Sequence, residues 1–387
     1  MLDVALKAEL HEYKKRPIIA ILTMDDEKKG FRGNRENFHD LIEAGKERNI
    51  LVYVTTVKLL DLRERQTAGY TCNLEKNSWI RQMFPQPHVI YNRIPFREDE
   101  MSADVQDKMA HIRRHPRVQM FNPAFFNKWE LIGWLNESKI TSKYLPITLK
   151  MSEDTKLLPL LKQHSAVYLK PESGKAGAGI MRIRRKINGK PTYLLSVQIK
   201  RKSRNFRFNS LKRLRARIKK MIGKEKYIVQ QGIDLVHNKK RPFDLRVLVQ
   251  KNGKGKWTLT GIGGRVAGEL SITTHVPRGG SIDNPKYLLR AVFGASRGAR
   301  ILRRAQQAAL AIARQIEIGA GTPLGEMSMD LGVDENGDIW FFEANSKPMK
   351  FDEPQIRKKS LERIIQYSIF LANGKNARAN FYGIEGD

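Results

Sequence analysis

A single cysteine, Cys72, stands in 387 residues. That excludes an internal disulfide framework and any cysteine-rich metal site. Long apolar runs are missing too: no stretch approaches the roughly 20 residues needed to span a bilayer. The opening "MLDVALKAELHEYKKRP" lacks the apolar core of a secretory signal. These absences lead us to expect a cytoplasmic protein with no membrane partner. No internal repeat is evident, and no Ser-His or Cys-His constellation marks a protein nucleophile. Acidic residues are scarce, since 40 Asp and Glu face 71 Lys and Arg, a net charge of +31. A balance this basic favours anionic contacts such as phosphate, nucleic acid or an acidic polymer. With 41% hydrophobic residues, the chain can nevertheless bury two or three substantial cores.

The basic charge is uneven. Between Arg182 and Lys226 stand 18 Lys or Arg and one acid, Glu225. Such a block either contacts an anion or is a solvated, loosely ordered insertion in a basic chain. An RNA-reading surface would display aromatics on strands. Only Tyr193, Phe206 and Phe208 punctuate this run, which makes nucleic acid a weak candidate without excluding it.

Around that block the pattern is mixed α/β and α+β. The runs "RPIIAILT" and "ILVYVTT" flank a helical "RENFHDLIEAGKERN", a spacing that suggests parallel pairing. Hairpin-like alternation covers Tyr70 to Arg93, and a helical segment lies near Asp104–Arg114. "FDLRVLVQ" and "KWTLTGIGGRVA" flank "KNGKG", a hairpin signature. "ARILRRAQQAALAIARQIE" reads as an amphipathic helix, and "PQIRKKSLERIIQYSIFLANG" carries Pro and Asn-Gly as helix punctuation.

Three constellations carry chemistry. In "MDLGVDENGDIWFFEANSKP" two apolar-rich runs flank Asn336-Gly337, so a two-residue hairpin turn is expected. That register sets Glu335 opposite Asp338 and Asp330 opposite Glu343. Asn345 shares the face of Glu343, and Trp340, Phe342 and Ala344 are expected to pack on a core. Facing carboxylates repel; a hard cation relieves this, and Mg²⁺ suits two carboxylates and an amide oxygen beside substrate phosphates. The second is "VYLKPESGKAGAGI", where a strand ending at Lys170 enters a loop with Gly174, Gly177 and Gly179. Glycines let backbone N–H groups approach phosphate, though the spacing is neither a P-loop nor a dinucleotide fingerprint. Third, Asp244 and Arg246 share one face of "FDLRVLVQ", with Arg265 on the next strand and Arg278 in "THVPRGGS". Converging arginines suit phosphate or carboxylate; in a chain this basic they equally suit plain solvation. His237 and His275 lack metal-ligand spacing and read as structural or solvent-facing.

In order along the chain, "FNKW", Lys170 with its glycine loop, "VQQGI", "DLR", "GGRVAG…PRGG" and "MDLGVD…FFEANSKP" resemble the ATP-grasp superfamily. "FNPAFFNKWEL" and "PFDLRVLVQ" are similar to its YheC/YheD subgroup of endospore coat-associated proteins. The resemblance covers roughly Arg16 to the C-terminus. It implies an ATP-grasp fold, two α+β subdomains clasping ATP, over 119–387. A small α/β pre-ATP-grasp domain would occupy 1–118, and 182–226 would be a basic lid or insertion. Lys128 and Lys170 would contact ATP phosphates beneath the loop from Ser173 through Gly174, Gly177 and Gly179. Gln230, Gln231, Gly232 and Ile233 would form the adenine-reading hinge, where the superfamily often has an acidic residue and this chain has "QQGI". Asp244 would contact ribose. Lys170, Arg246 and Arg265 would serve the transferred phosphate. Asp330, Glu343 and Asn345 would hold two Mg²⁺ ions, or Mn²⁺.

The activity so implied is an ATP-dependent carboxylate–amine ligase working through an acyl phosphate. An anionic peptide or polymer of the spore coat or wall would be its substrate, with spore coat proteins as partners. The rival reading is a non-catalytic, nucleotide-binding coat component.

Overall fold

The computed structural model describes residues 16–73, 78–152, 155–174, 177–188, 190–269 and 271–374. They build three sheets. The first runs in the order Ser78–Pro85, Gln66–Asn73, Leu51–Thr56, Ile18–Thr23, Val89–Asn92, Gln119–Phe121. Its last four strands are parallel, and the first two form an antiparallel hairpin. All six residues of Ile18–Thr23 are buried, because parallel strands are covered on both faces. Ile19 and Ile21 meet Phe38 and Leu41 of one helix and Ile365 of the last helix. Ile18, Ala20 and Leu22 meet Val105, Met109 and Ile112 of the helix Ala103–Arg114 on the other face. The expected division at 118/119 thus cuts this sheet, since Gln119–Phe121 is its edge strand and Pro354–Ala372 returns to its core.

The second sheet is antiparallel, ordered Lys202–Phe208, Lys190–Ile199, Met181–Asn188, Val167–Pro171, Tyr227–Gln231, Thr148–Lys150. The basic block therefore supplies half of a sheet, plus the helix Leu211–Ile222 that covers it. Tyr193, Leu195, Val197, Leu214 and Ile218 from the block pack with Val167, Leu169 and Val229 in one core. Lysine and arginine fill the alternate positions, so a charged sequence still has an apolar face. The loosely ordered alternative is ruled out by that core.

The third sheet, Ser281–Asp283, Trp257–Val266, Arg241–Lys251, Glu326–Val333, Ile339–Asn345, is antiparallel as well. Phe243, Leu245, Val247 and Val249 bury against Ala305, Ala308, Ala309 and Ile312 of the 26-residue helix Ala295–Ala320. Asp244, Arg246 and Gln250 alternate to the opposite face, where Gln250 donates to Ser360 of the helix Pro354–Ala372.

The hairpin that ends this sheet departs from the expected register in an instructive way. Val333 pairs with Ile339, where a two-residue Asn-Gly turn would pair it with Trp340. The Asp334 carbonyl accepts from Gly337 N–H, Asp334 N–H donates to Asp338, and Gly337 has φ of 77°. This is the three-residue loop that closes with a left-handed glycine. Glu335 therefore does not face Asp338. Between Asp330 and Leu331 the ladder then shifts by one residue, leaving Phe342 as a bulge, and Asp330 still pairs with Glu343. The bulge also turns Phe342 away from the core. Ile339, Phe341 and Ala344 pack inward, while Trp340 and Phe342 stay half-buried outside that core.

A block that contributes core residues should be as sensitive as any core. Leu195→Ala, at a fully buried site, is expected to cost about 2–5 kcal/mol in urea unfolding. Ile187→Ala, exposed in the same block, should stay within about 0.5 kcal/mol. A negligible effect of Leu195→Ala would contradict the assignment.

Candidate functional site

Two carboxylates form the centre. Asp330, almost wholly buried, and Glu343 face each other across the strand pair just described. A third group joins them that the sequence reading had set aside. His275 Nε2 lies 3.5 Å from Glu343 Oε1 and 3.9 Å from Asp330 Oδ2. The three residues could together hold a metal ion, and both ring nitrogens of His275 are buried without a hydrogen-bond partner among the described residues. Nothing in the spacing of His275 signals this, because it is brought 55 and 68 positions' worth of chain closer by a loop that folds back, Gly280 N–H donating to His275 O. Asn345 lies two residues beyond Glu343 on the same strand, opposite Ser328.

Arginines hold the carboxylates from the neighbouring strands. Arg246 Nη1 donates to Asp330 Oδ1 at 3.1 Å, and Arg265 Nη2 sits 2.8 Å from Asp330 Oδ2. Arg265 also makes a two-pronged pair with Asp244, Nε to Oδ1 at 2.9 Å and Nη2 to Oδ2 at 2.6 Å. The Thr274 hydroxyl donates to the same Asp244 Oδ2. Both oxygens of Asp244 are thus engaged within the chain, and the side chain is buried. Burial alone would disfavour the Arg265 charge, but Asp244 and Asp330 outweigh it and raise its pKa further. The side chain of Arg278 lies outside the described residues.

Lysines approach from the second sheet and its connections. Asn127 caps the helix Lys128–Asn136, accepting from the N–H groups of Trp129 and Glu130, which fixes Lys128 at the first turn. Lys128 Nζ donates to Gly174 O at 2.8 Å and lies 3.6 Å from Glu343 Oε2. One side chain therefore ties the glycine loop to the carboxylates. Ser173 is exposed, Gly177 and Gly179 take positive φ, and residues 175 and 176 of the loop lie outside the described set. Lys170 donates to Gln230 Oε1 at 2.6 Å, with its ammonium 5.3 Å from the Phe342 ring. Burial pushes the Lys170 amine down to about 8, against the opposing pull of Glu343. Burial by itself would raise the Glu343 carboxyl, but Lys128, His275 and Lys170 hold it well below the ordinary range.

The hinge is built by close approach. Gly232 N–H donates to Ala166 O, and a Cβ on Gly232 would stand 2.7 Å from that oxygen, so only glycine fits. Gln231 N–H donates to Ile147 O, while Gln230 reaches Thr148 with the amide that Lys170 leaves free. Ile233 follows, half-buried.

Four cationic side chains, Lys128, Lys170, Arg246 and Arg265, thus surround three carboxylates, Asp244, Asp330 and Glu343. A bare divalent cation would meet surplus positive charge here. A cation carried by a polyphosphate, net anionic, would not. The facing carboxylates and the lysines on the opposite wall therefore fit a magnesium ion that arrives with phosphate, the oxygen ligand mixture Mg²⁺ prefers. Of the expected residues, the structure brings together Lys128, Lys170, Gly174, Gln230, Asp244, Arg246, Arg265, Asp330 and Glu343. It adds His275, Thr274 and Phe342.

A family model described as YheC/D-like ATP-grasp matches residues 117–371. The endospore coat-associated protein YheD of Bacillus subtilis (strain 168) is 30% identical over 309 residues, covering 77% of this chain and 66% of YheD. The chain thus spans just under two thirds of that relative. Endospore coat-associated protein YheC of the same organism is 22% identical over 284 residues, covering 70% and 73%. Among solved structures, the ATP-grasp ligase PsnB complexed with a minimal precursor superimposes with a TM-score of 0.51 at 12% identity, over 90% of this chain and 98% of that one. The D-alanine-D-alanine ligase of Coxiella burnetii gives 0.51 at 11% identity, over 96% and 100%. At such identities the likeness establishes the fold. No helix among the described residues is long and apolar enough to cross a membrane.

A desolvated amine gives a signed pH effect. The Lys170 pKa is about 8 in the folded chain against an ordinary 10.5, so the unfolded chain binds more protons between those values. Stability from this group therefore rises with pH across that window and is lost as pH falls through about 8. Urea unfolding of wild type and Lys170→Met should show the wild type gaining about 3 kcal/mol on the variant between about pH 7.5 and 10.5. Lys347, also pushed down to about 8 by burial, titrates in both proteins and cancels. A difference that stays flat with pH would refute the desolvated amine.

Proposed function

The chain belongs to the YheC/D-like ATP-grasp family, and from that premise we propose that it is an ATP- and Mg²⁺-dependent carboxylate–amine ligase. The observation that carries this reading is the convergence of Lys128, Lys170 and the glycine loop on the Asp330–Glu343 pair. A substrate carboxylate attacks the γ-phosphate of ATP, giving an acyl phosphate and ADP. An amine then takes the acyl group and releases phosphate. Carboxylate alone is a poor electrophile with no leaving group, which is why activation is needed. The protein's part is positioning and electrostatics, consistent with a site that holds no serine or cysteine nucleophile among the described groups.

The geometry supports the following residue roles. Lys128 and Lys170 neutralise the triphosphate, and the loop carrying Ser173, Gly174, Gly177 and Gly179 covers it with backbone N–H groups. Arg246 and Arg265 face the transferred phosphate. Asp244, with both oxygens taken, positions Arg265 in preference to touching ribose. At the hinge the amides of Gln231 and Gly232 are already used, so adenine contacts fall to the carbonyls there and to Ile233. Asp330, Glu343 and Asn345 would hold magnesium, with manganese as a substitute, and His275 stands within reach of the same position. Bound with the nucleotide, the ion supplies charge that offsets repulsion between an anionic nucleophile and the phosphates.

The names of the relatives support a substrate connected with the spore coat or wall. They equally suit a coat component that binds nucleotide without turnover, but a purely structural role leaves the assembled charge cluster without a purpose. Purified protein with Mg-ATP and candidate acid–amine pairs is expected to release phosphate only when an acceptor is present. Asp330→Ala and Glu343→Ala should each lower that rate by about 10²-fold or more. Full turnover in the double variant would falsify the ligase assignment.

A further inference from the structure

The arginines of the site are all matched by acids, but a second group of arginines is not. Tyr168 and Lys170 lie on the site-facing side of the second sheet, where Tyr168 O–H donates to Ile272 O in the connection between Trp257–Val266 and Ser281–Asp283 of the third sheet. Arg182 pairs directly with Tyr168 in the ladder, so its side chain leaves the same face. Arg184 and Lys186 follow at alternate positions of that strand, Leu194 pairs with Arg184, and Arg207 pairs with Leu194. Among the described residues, no carboxylate pairs with Arg182, Arg184 or Arg207. The Nε atoms of Arg182 and Arg184 are buried without a hydrogen-bond partner. Burial, and then the neighbouring Arg182, lower the Arg184 pKa. Two half-buried guanidinium groups side by side with no acid between them are unfavourable unless an anion is added.

We propose that the row Arg182, Arg184 and Lys186, flanked by Arg207, is a binding track for an acidic polypeptide. This deepens the ligase reading and rests on it only for calling that polypeptide a substrate. Three features favour polypeptide. Side chains at alternate strand positions stand about 7 Å apart, the interval at which an extended acidic peptide repeats carboxylates on one side. Guanidinium forks pair well with carboxylates. The block's own aromatics are turned away, Tyr193 buried in the helix-covered core and Phe206 packed against that core under Arg204 and Arg217, while Tyr168 on the track's face has its hydroxyl engaged by Ile272 O. The track begins one strand from Lys170. The loop at Ser271 and Ile272, which accepts from Tyr168 O–H and binds Gln198, lies across that end, so a chain on the track would meet this loop before the carboxylate pair.

Fluorescence anisotropy with a labelled deca-glutamate peptide at about 0.1 M salt tests this, since exposed charge contacts still act over roughly 10 Å there. Arg182→Ser/Arg184→Ser/Arg207→Ser should weaken binding about tenfold or more. The charge-matched control Arg300→Ser/Arg303→Ser/Arg314→Ser, on the exposed face of Ala295–Ala320, should change it less than about threefold. Arg207→Ser alone, at an exposed edge position, guards against misfolding of the triple variant and should give a partial loss. The proposal is overturned by absence of wild-type binding, by equal loss in both triple variants, or by tighter binding of a single-stranded RNA ten-mer with the same residue dependence. Binding of a fluorescent ADP with Mg²⁺, read in the same samples, separates the two readings. Peptide binding without nucleotide binding overturns the ligase reading and upholds the track; nucleotide binding without peptide binding does the reverse.

Discussion

Asp330 and Glu343 face each other on the third sheet, and the cations gathered around them order the rest of the site. Here Arg246 and Arg265 reach Asp330 from the adjoining strands, and Lys128 reaches Glu343 from a helix N-terminus. Arg265 is itself fixed by Asp244, which in turn is fixed by Thr274. The network is continuous, so each charge is oriented by another and none is free to relax. Rigid strands beneath it mean that the geometry is set before any ligand arrives.

Placement of the second sheet follows from the same constraint. Lys170 loses solvation by pointing into this cluster, and its ammonium is held by Gln230 and the Phe342 ring. The close contact of Gly232 with Ala166 lets the chain leave that sheet for the third without bulk between them. Lys128, bonded to Gly174 O, spans the gap from the other side. The basic block lies outside this knot, yet it shares its sheet with Lys170. Arg182 leaves the same face of that sheet as Tyr168 and Lys170.

Much of this was legible. Alternation in "FDLRVLVQ" correctly divided Phe243, Leu245 and Val247 from Asp244 and Arg246, because a half-buried strand must alternate. Pairing of Asp330 with Glu343 was also expected, although by two errors that cancel. A three-residue loop in place of the two-residue turn offset the register by one, and a bulge at Phe342 undid the offset. Bulges leave little local trace, and that one reversed the expected placement of Trp340 and Phe342. His275 was missed because its partners lie in another strand pair, and a lone histidine has no period to betray it. The basic block looked like an insertion because charge dominated its composition, while its buried residues alternate inconspicuously among lysines.

By itself the amino-acid order determined most strands and helices, which residues share a face wherever a strand is regular, and which polar residue types gather at the site. These depend on neighbours within a few positions, where periodicity and turn chemistry act. Only the tertiary structure decided which charges neutralise which, that Asp244 serves Arg265, that His275 joins the carboxylates, and that Arg182, Arg184 and Arg207 remain unmatched. Such pairings depend on distances across strands far apart in the chain, and electrostatic energy follows those distances, not sequence separation.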